Sequence, residues 1–123
     1  MMALDRGLID WMAEVLAADG TVTHRRMMGG ATLYLDGIVF TIVDGDGSLW
    51  FKGDAQSDAT WDAAGCARFT YARGDGQVAS MNYRRAPEAC YDDVDAARTW
   101  ALLGVAAGQR APVKKRKGGK TAG

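Results

Sequence analysis

The sequence predicts an α+β domain of two layers, with helices packed on an antiparallel five-stranded sheet in the order α-β-β-β-α-β-β-α. Three observations lead there. Apolar residues recur at helical spacing near both ends of the chain, β-prone runs lie between them, and tight Asp-Gly turns fold those runs into hairpins. At 123 residues the chain is sized for one domain, and a core needs no metal or disulfide staple.

Each element has its own signal. The first helix is carried by Leu4, Leu8, Met12, Val15 and Leu16, with Trp11 flanking the stripe and Asp10 and Glu14 opposite; Gly20 stops it. Thr21 to Met28 is β-prone, and Gly29-Gly30 interrupts it with a bulge or a close backbone approach. Residues 31–35 and 38–43 form a hairpin, because Asp36-Gly37 between them suits a type I′ turn. Asp44-Gly45-Asp46-Gly47 turns the chain into residues 48–52, which completes a three-stranded meander. Asp54 is placed to cap a short helix running to Ala64, closed by Gly65 and anchored by Trp61. Residues 68–73 and 77–83 make a second hairpin around Gly74-Asp75-Gly76, with Phe69 and Tyr71 on one face. After Pro87, residues 91–107 form the last helix. Tyr91, Val94, Ala101, Leu102 and Val105 point inward, and Gly108 ends it.

Charge divides the chain more sharply than composition does. Fifteen Lys and Arg balance fifteen Asp and Glu, but through Val113 ten basic residues face fifteen acidic ones, a net of −5. The last ten residues carry Lys114, Lys115, Arg116, Lys117 and Lys120 with no acid, a net of +5. Residues 1–110 are therefore read as the folded domain. Residues 111–123 are read as a disordered basic tail that lacks the apolar side chains a core needs. No apolar run approaches the roughly 20 residues that span a bilayer, and the acid-bearing start is no secretion signal. Cys66 and Cys90 stand far apart without a C-x-x-C partner, which fits two incidental thiols in a reduced, cytoplasmic protein.

No chemical motif survives inspection. Asp44-Gly45-Asp46-Gly47 begins like a calcium loop, then places Leu49 and Ala55 where the loop glycine and the bidentate glutamate belong. No phosphate-binding glycine pattern, nucleophile elbow or paired zinc ligands are present, and the single histidine, His24, has no partner at metal spacing. The expectation is a non-enzymatic chain without cofactor or metal. Two arginine pairs, Arg25-Arg26 and Arg84-Arg85, remain as candidate contacts to an anion or a partner. Neighbours on a strand face opposite sides, so each pair offers one arginine per face. They either bridge to the surplus aspartates or share an anionic site. Lys114, Lys115, Arg116 and Lys117 extend the candidate set. Such a tail supplies salt-sensitive affinity for phosphates but has no aromatics for base stacking.

These residues also carry a family resemblance. Arg25-Arg26-Met27-Met28-Gly29-Gly30, then Leu33-Tyr34-Leu35-Asp36-Gly37 and Phe40, resembles the R-R-M-F-G-G…L-Y-x-D-G…F signature of the N-terminal domain of TfoX/Sxy competence regulators. Leu49-Trp50-Phe51-Lys52, Phe69-Thr70-Tyr71, Ser80-Met81-Asn82-Tyr83 and Trp100-Ala101 match its later blocks in order, so the likeness covers residues 3 to 107. Met28 stands where the signature has an aromatic. The resemblance implies an antiparallel α+β domain of secretion-chaperone-like architecture and a bacterial regulatory or adaptor role in competence or transcription, exercised through protein contacts. Full-length regulators resemble this body followed by a second helical domain, where this sequence carries its tail, so a stand-alone N-terminal domain is expected. A protein partner and a homodimer are expected with it. The competing readings are weak, non-specific nucleic-acid binding through the tail and arginine pairs, and a small-ligand protein using His24 or a cysteine.

Overall fold

A computed structural model of the chain describes residues 6–27, 29–72 and 74–111. In chain order they form α1 (Arg6–Val15), β1 (Val22–Met27), β2 (Gly30–Leu35), β3 (Ile38–Val43), β4 (Leu49–Lys52), α2 (Asp58–Ala63), β5 (Arg68–Ala72), β6 (Val78–Arg85), a 3-10 turn (Glu88–Tyr91) and α3 (Val94–Arg110). The class is the expected α+β. The strand count is six rather than five, because the β-prone stretch before Gly29 pairs with β2 along its whole length, from Val22 opposite Leu35 to Met27 opposite Gly30. Its exposure explains the miscount. Five of its six residues are exposed, so the run has no apolar face to announce a strand.

All pairings are antiparallel, in the spatial order β1-β2-β3-β4-β6-β5. Asp36 and Gly37 take φ of 48° and 85°, the two positive values that a type I′ turn requires. The turn is fixed further by the Asp36 carboxylate, which accepts from the Thr21 N–H at 3.0 Å. Asp44 organises the next turn in the same way, accepting from the N–H groups of Asp46 and Ser48. The chain then passes through α2 to the far edge, and β6 returns between β4 and β5.

The helices all pack on one side of this sheet. Leu33 and Leu35 of β2, Phe40 and Val43 of β3, and Leu49 and Phe51 of β4 meet Ile9, Met12, Val15 and Leu16 from the α1 side, and Ala97, Ala101 and Val105 of α3. Trp61 anchors α2, fully buried between Phe51 and Trp100 with ring centroids 6.1 and 4.8 Å away. A six-residue helix is too short to be stable alone, so this packing and the ion pairs below hold it. Asp54 caps the turn before it, accepting from the Ser57 N–H and hydroxyl at 3.0 and 2.9 Å, and α2 itself begins at Asp58.

Helix α3 crosses β3 at close range. A Cβ on Gly104 would sit 2.6 Å from the Phe40 carbonyl oxygen, and one on Gly108 would overlap the Val39 carbonyl. A β-bulge lies at the same place: Leu33 faces Thr41 while Tyr34 faces Val39, leaving Phe40 as the extra residue of β3. Gly108 is thus a packing residue, and α3 continues past it to Arg110. At its other end α3 starts later than the spacing suggests. Asp93 accepts from the N–H groups of Asp95 and Ala96 as an N-cap. Tyr91 belongs to the separate 3-10 turn, where its hydroxyl accepts from Leu49 N–H at 2.8 Å. Val94, expected inward, is 48% exposed in the first turn. Two bidentate ion pairs tie α3 down: Arg98 to Asp19, which follows α1, and Arg110 to Asp54.

Two measurements test this account. Gly104→Val is expected to lower the stability by about 2–3 kcal/mol through overpacking, read as a reduced urea midpoint; an unchanged midpoint contradicts the close crossing. The Arg110 guanidinium, aided by Ser57, holds the Asp54 carboxyl down to about 2. Its unfolded value is about 3.9, so the contribution of this contact is present above that pH and is lost as pH falls from about 4 to about 2. Asp54→Asn should therefore lower the midpoint at pH 7, with the gap to the unaltered chain closing across that acid range.

Candidate functional site

Strand alternation sends every second residue away from the helices. On β4, Trp50 and Lys52 face the uncovered side, and their partners on β6, Arg85 and Tyr83, face it with them. Ile42 of β3 lies opposite Trp50, and Met81 of β6 lies opposite Phe69 of β5. Tyr34 and Val39 pair on the same side, as do Arg25 and Thr32. Among the described residues no helix covers this face.

The face is apolar at its centre and basic around it. Ile42 and Tyr83 are 4% and 7% exposed although neither belongs to the helix-side core, so side chains of this face bury them. Trp50 receives Phe69 edge-on at 5.0 Å and 76°, and its indole N–H donates to the Asp44 carboxylate at 2.8 Å. The Arg85 guanidinium lies 5.6 Å from the Trp50 ring centroid and the Lys52 ammonium 5.2 Å from that of Tyr83. Burial, and to a smaller degree the neighbouring Tyr34, pushes the Tyr83 phenol up, so it remains a neutral ring at physiological pH.

Beside Trp50 the face sinks into a recess of about 230 Å³, lined by Met27, Ile42, Phe69 and Met81 with the backbone of Gly30 and Gly45 at its rim. Met27 comes from one edge strand and Phe69 from the other. In a flat sheet those edges would lie about 24 Å apart, so the sheet is strongly coiled around this face. Met27 is 39% exposed there, and methionine adapts its shape to what it meets.

The candidates named by the sequence separate in space. Arg25 and Arg85 share the uncovered face, but β2, β3 and β4 stand between their strands. Arg26 and Arg84 face the helix side, so the two pairs form no four-arginine cluster. Arg26 points to the helix side of the β1 edge and is exposed. Arg84 is 2% exposed beneath α2, where it donates to Asp62 at 2.8 Å, to Asp58 at 3.2 Å and to the Cys66 carbonyl at 2.9 Å. Its charge fastens α2 to β6, with Arg68 sharing Asp58 at 3.7 Å. Lys114, Lys115, Arg116 and Lys117 lie outside the described residues.

His24 is exposed on β1, whereas Cys66 and Cys90 are buried free thiols. Among the described residues no three His, Cys, Asp or Glu side chains are grouped to hold a metal, and no helix is long and apolar enough to cross a membrane. What the sequence reading missed was the recess. Its lining residues are scattered from Met27 to Met81, and the only local signal was the alternation that places Ile42, Trp50, Phe69 and Met81 on one side.

These features define a class: an α+β domain with one antiparallel sheet, helices on a single side, and an aromatic, basic-rimmed face left open on the other. The chain belongs to the TfoX N-terminal domain family, which it matches over residues 14–108. It is also similar to the DNA transformation protein TfoX1 of Aliivibrio fischeri (strain ATCC 700601 / ES114), at 33% identity over 64 residues. That alignment takes in 52% of this chain and 30% of the longer protein, so the likeness covers less than a third of the relative's length.

Burial pushes the Cys90 thiol up to about 12, with Cys66 and Asp93 adding to the effect, and burial raises Cys66 as well. Thiolate chemistry at neutral pH is therefore suppressed at both sites. A disulfide reagent should leave both thiols unmodified in the native chain at pH 8 and titrate two in urea. Fast native labelling of either would show that the core is open there.

Proposed function

We propose that this domain is a non-enzymatic regulatory module that acts by protein contact through the uncovered sheet face, in the control of DNA transformation. The observation that carries the reading is the recess. A chain that buries its core efficiently on one side leaves Met27, Phe69 and Met81 around an unfilled apolar hollow on the other. Exposed apolar surface of this kind, rimmed by polar groups, is characteristic of interaction sites. Family membership and the likeness to a DNA transformation protein support the choice of process.

The reading explains the division of labour in the sequence. Large apolar residues and ion pairs stabilise the helix side, whereas Trp50, Phe69, Met81 and Arg85 contribute more to a surface than to the main core. Nothing in it requires a nucleophile, a metal or a titrating histidine.

The test uses a transformable host that carries this chain. Met81→Asp places a charge in the recess, where an incoming apolar group would have to bury it. Transformation frequency is expected to fall by about tenfold or more, with the circular dichroism spectrum and melting midpoint of the purified variant confirming a folded domain. A folded Met81→Asp chain that supports full transformation overturns the role of this face. Full transformation after deletion of the gene overturns the process itself.

A further inference from the structure

The partner's chemistry can be read from the charges that this face leaves unmatched. We propose that the recess receives a large aliphatic or aromatic side chain from an acidic segment of a protein partner, whose carboxylates lie against Lys52, Arg85 and Arg25. This inference rests on the reading of the uncovered face as a contact surface, and it names what that surface recognises.

Ion pairing differs between the two sides of the sheet. The part of the chain before the basic tail carries a net −5, so aspartates are abundant. On the helix side four arginines use them: Arg68, Arg84, Arg98 and Arg110 each have a carboxylate within 4.0 Å, and only the exposed Arg6 and Arg26 have none among the described residues. On the uncovered side Arg25, Lys52 and Arg85 have no ion-pair partner among the described residues. Asp44, the carboxylate at the recess, is already occupied by the Trp50 indole N–H and by the N–H groups of Asp46 and Ser48. Lys52 and Arg85 are held against the face by aromatic rings at 5.2 and 5.6 Å. A cation over a ring keeps its charge available to an anion. An apolar hollow that shares its sheet face with ring-held cations lacking an ion-pair partner matches an apolar side chain flanked by carboxylates.

Other anionic ligands fit less well. A nucleobase needs hydrogen-bonding groups along its edge, but Met27, Ile42, Phe69 and Met81 offer none, and the Asp44 carboxylate that lines the recess with them already accepts from three N–H groups. Base stacking needs a free aromatic surface, yet Trp50 already receives the edge of Phe69 and the guanidinium of Arg85. The basic segment 114–123 carries the same sign as Arg25, Lys52 and Arg85, so its charge does not complement theirs.

The experiment titrates the full chain, by fluorescence anisotropy, with two peptides of equal negative charge. One has a single leucine flanked by glutamates, and the other has alanine in its place; oligo(dT) serves as a polyanion without an apolar side chain. The leucine peptide is expected to bind, and the alanine peptide to bind about tenfold or more weakly. Lys52→Gln combined with Arg85→Gln should weaken the leucine peptide by about fivefold or more, with the tail intact and the melting midpoint near that of the unaltered chain. Arg25→Gln, at an exposed edge position, should weaken it to a smaller extent.

Equal affinity for the two peptides overturns the proposal. Binding untouched by the double substitution also does so, because the attraction would then belong to the tail. Oligo(dT) binding that disappears in the same variant assigns the face to nucleic acid, and a dimer of the chain abolished by that variant, in light scattering, assigns it to a second copy; either overturns the acidic partner. If Met81→Asp blocks transformation while neither peptide binds, this partner chemistry fails and the contact face stands. If both experiments fail, the face reading falls with it.

Discussion

The crossing of α3 over β3 is the contact on which the rest of the structure depends. Gly104 and Gly108 lie one helical turn apart, so their missing side chains open a single strip along which the helix backbone meets the carbonyls of Val39 and Phe40. Each glycine in a helix interior costs about 1 kcal/mol relative to alanine. The fold tolerates this because a closer helix brings Ala97, Ala101 and Val105 into full contact with the sheet and sets Trp100 against Trp61. The bulge at Phe40 is the matching feature of the strand. Arg98 and Arg110 then fix the two ends of the helix to Asp19 and Asp54.

This arrangement also explains why the opposite face is free. Three helices, an ion-paired arginine under α2 and most of the large apolar residues are committed to one side. The polypeptide has no further element among the described residues to lay over Ile42, Trp50, Phe69, Met81 and Tyr83. The coiled sheet gathers these side chains into a surface that is partly self-buried, with Tyr83 and Ile42 almost closed off while Met27 remains open. Arg84 and Arg85, adjacent in sequence, show how far the sides differ. One is nearly buried and neutralised by Asp58 and Asp62; the other is exposed over an indole ring.

Much of the architecture was legible because local chemistry specified it. Asp36-Gly37 dictates its turn through positive φ, the apolar stripe of α1 points to the core, and the glycine-rich breaks separate the strands. Where the local reading erred, a non-local partner decided. The first strand lacks an apolar face and is held by pairing with β2. Residues 91–107 appeared continuous, yet Asp93 caps α3 afresh while Tyr91 is drawn off to the Leu49 backbone. Gly108 looked like a stop and instead serves close packing.

The sequence by itself determined the fold class, the hairpins and the family signature, since alternation, turn residues and spaced motif blocks act over a few residues. It also separated an acidic body from a basic end. Only the tertiary structure decided which charges are satisfied and which are available, because that depends on aspartates 22 and 26 positions away from Arg84 and on the lack, among the described residues, of a carboxylate at ion-pair distance from Arg85. The recess is likewise a product of sheet coiling, which brings Met27 and Phe69 from opposite edges to one place. No spacing along the chain encodes that distance; it is set by the accumulated twist of six paired strands.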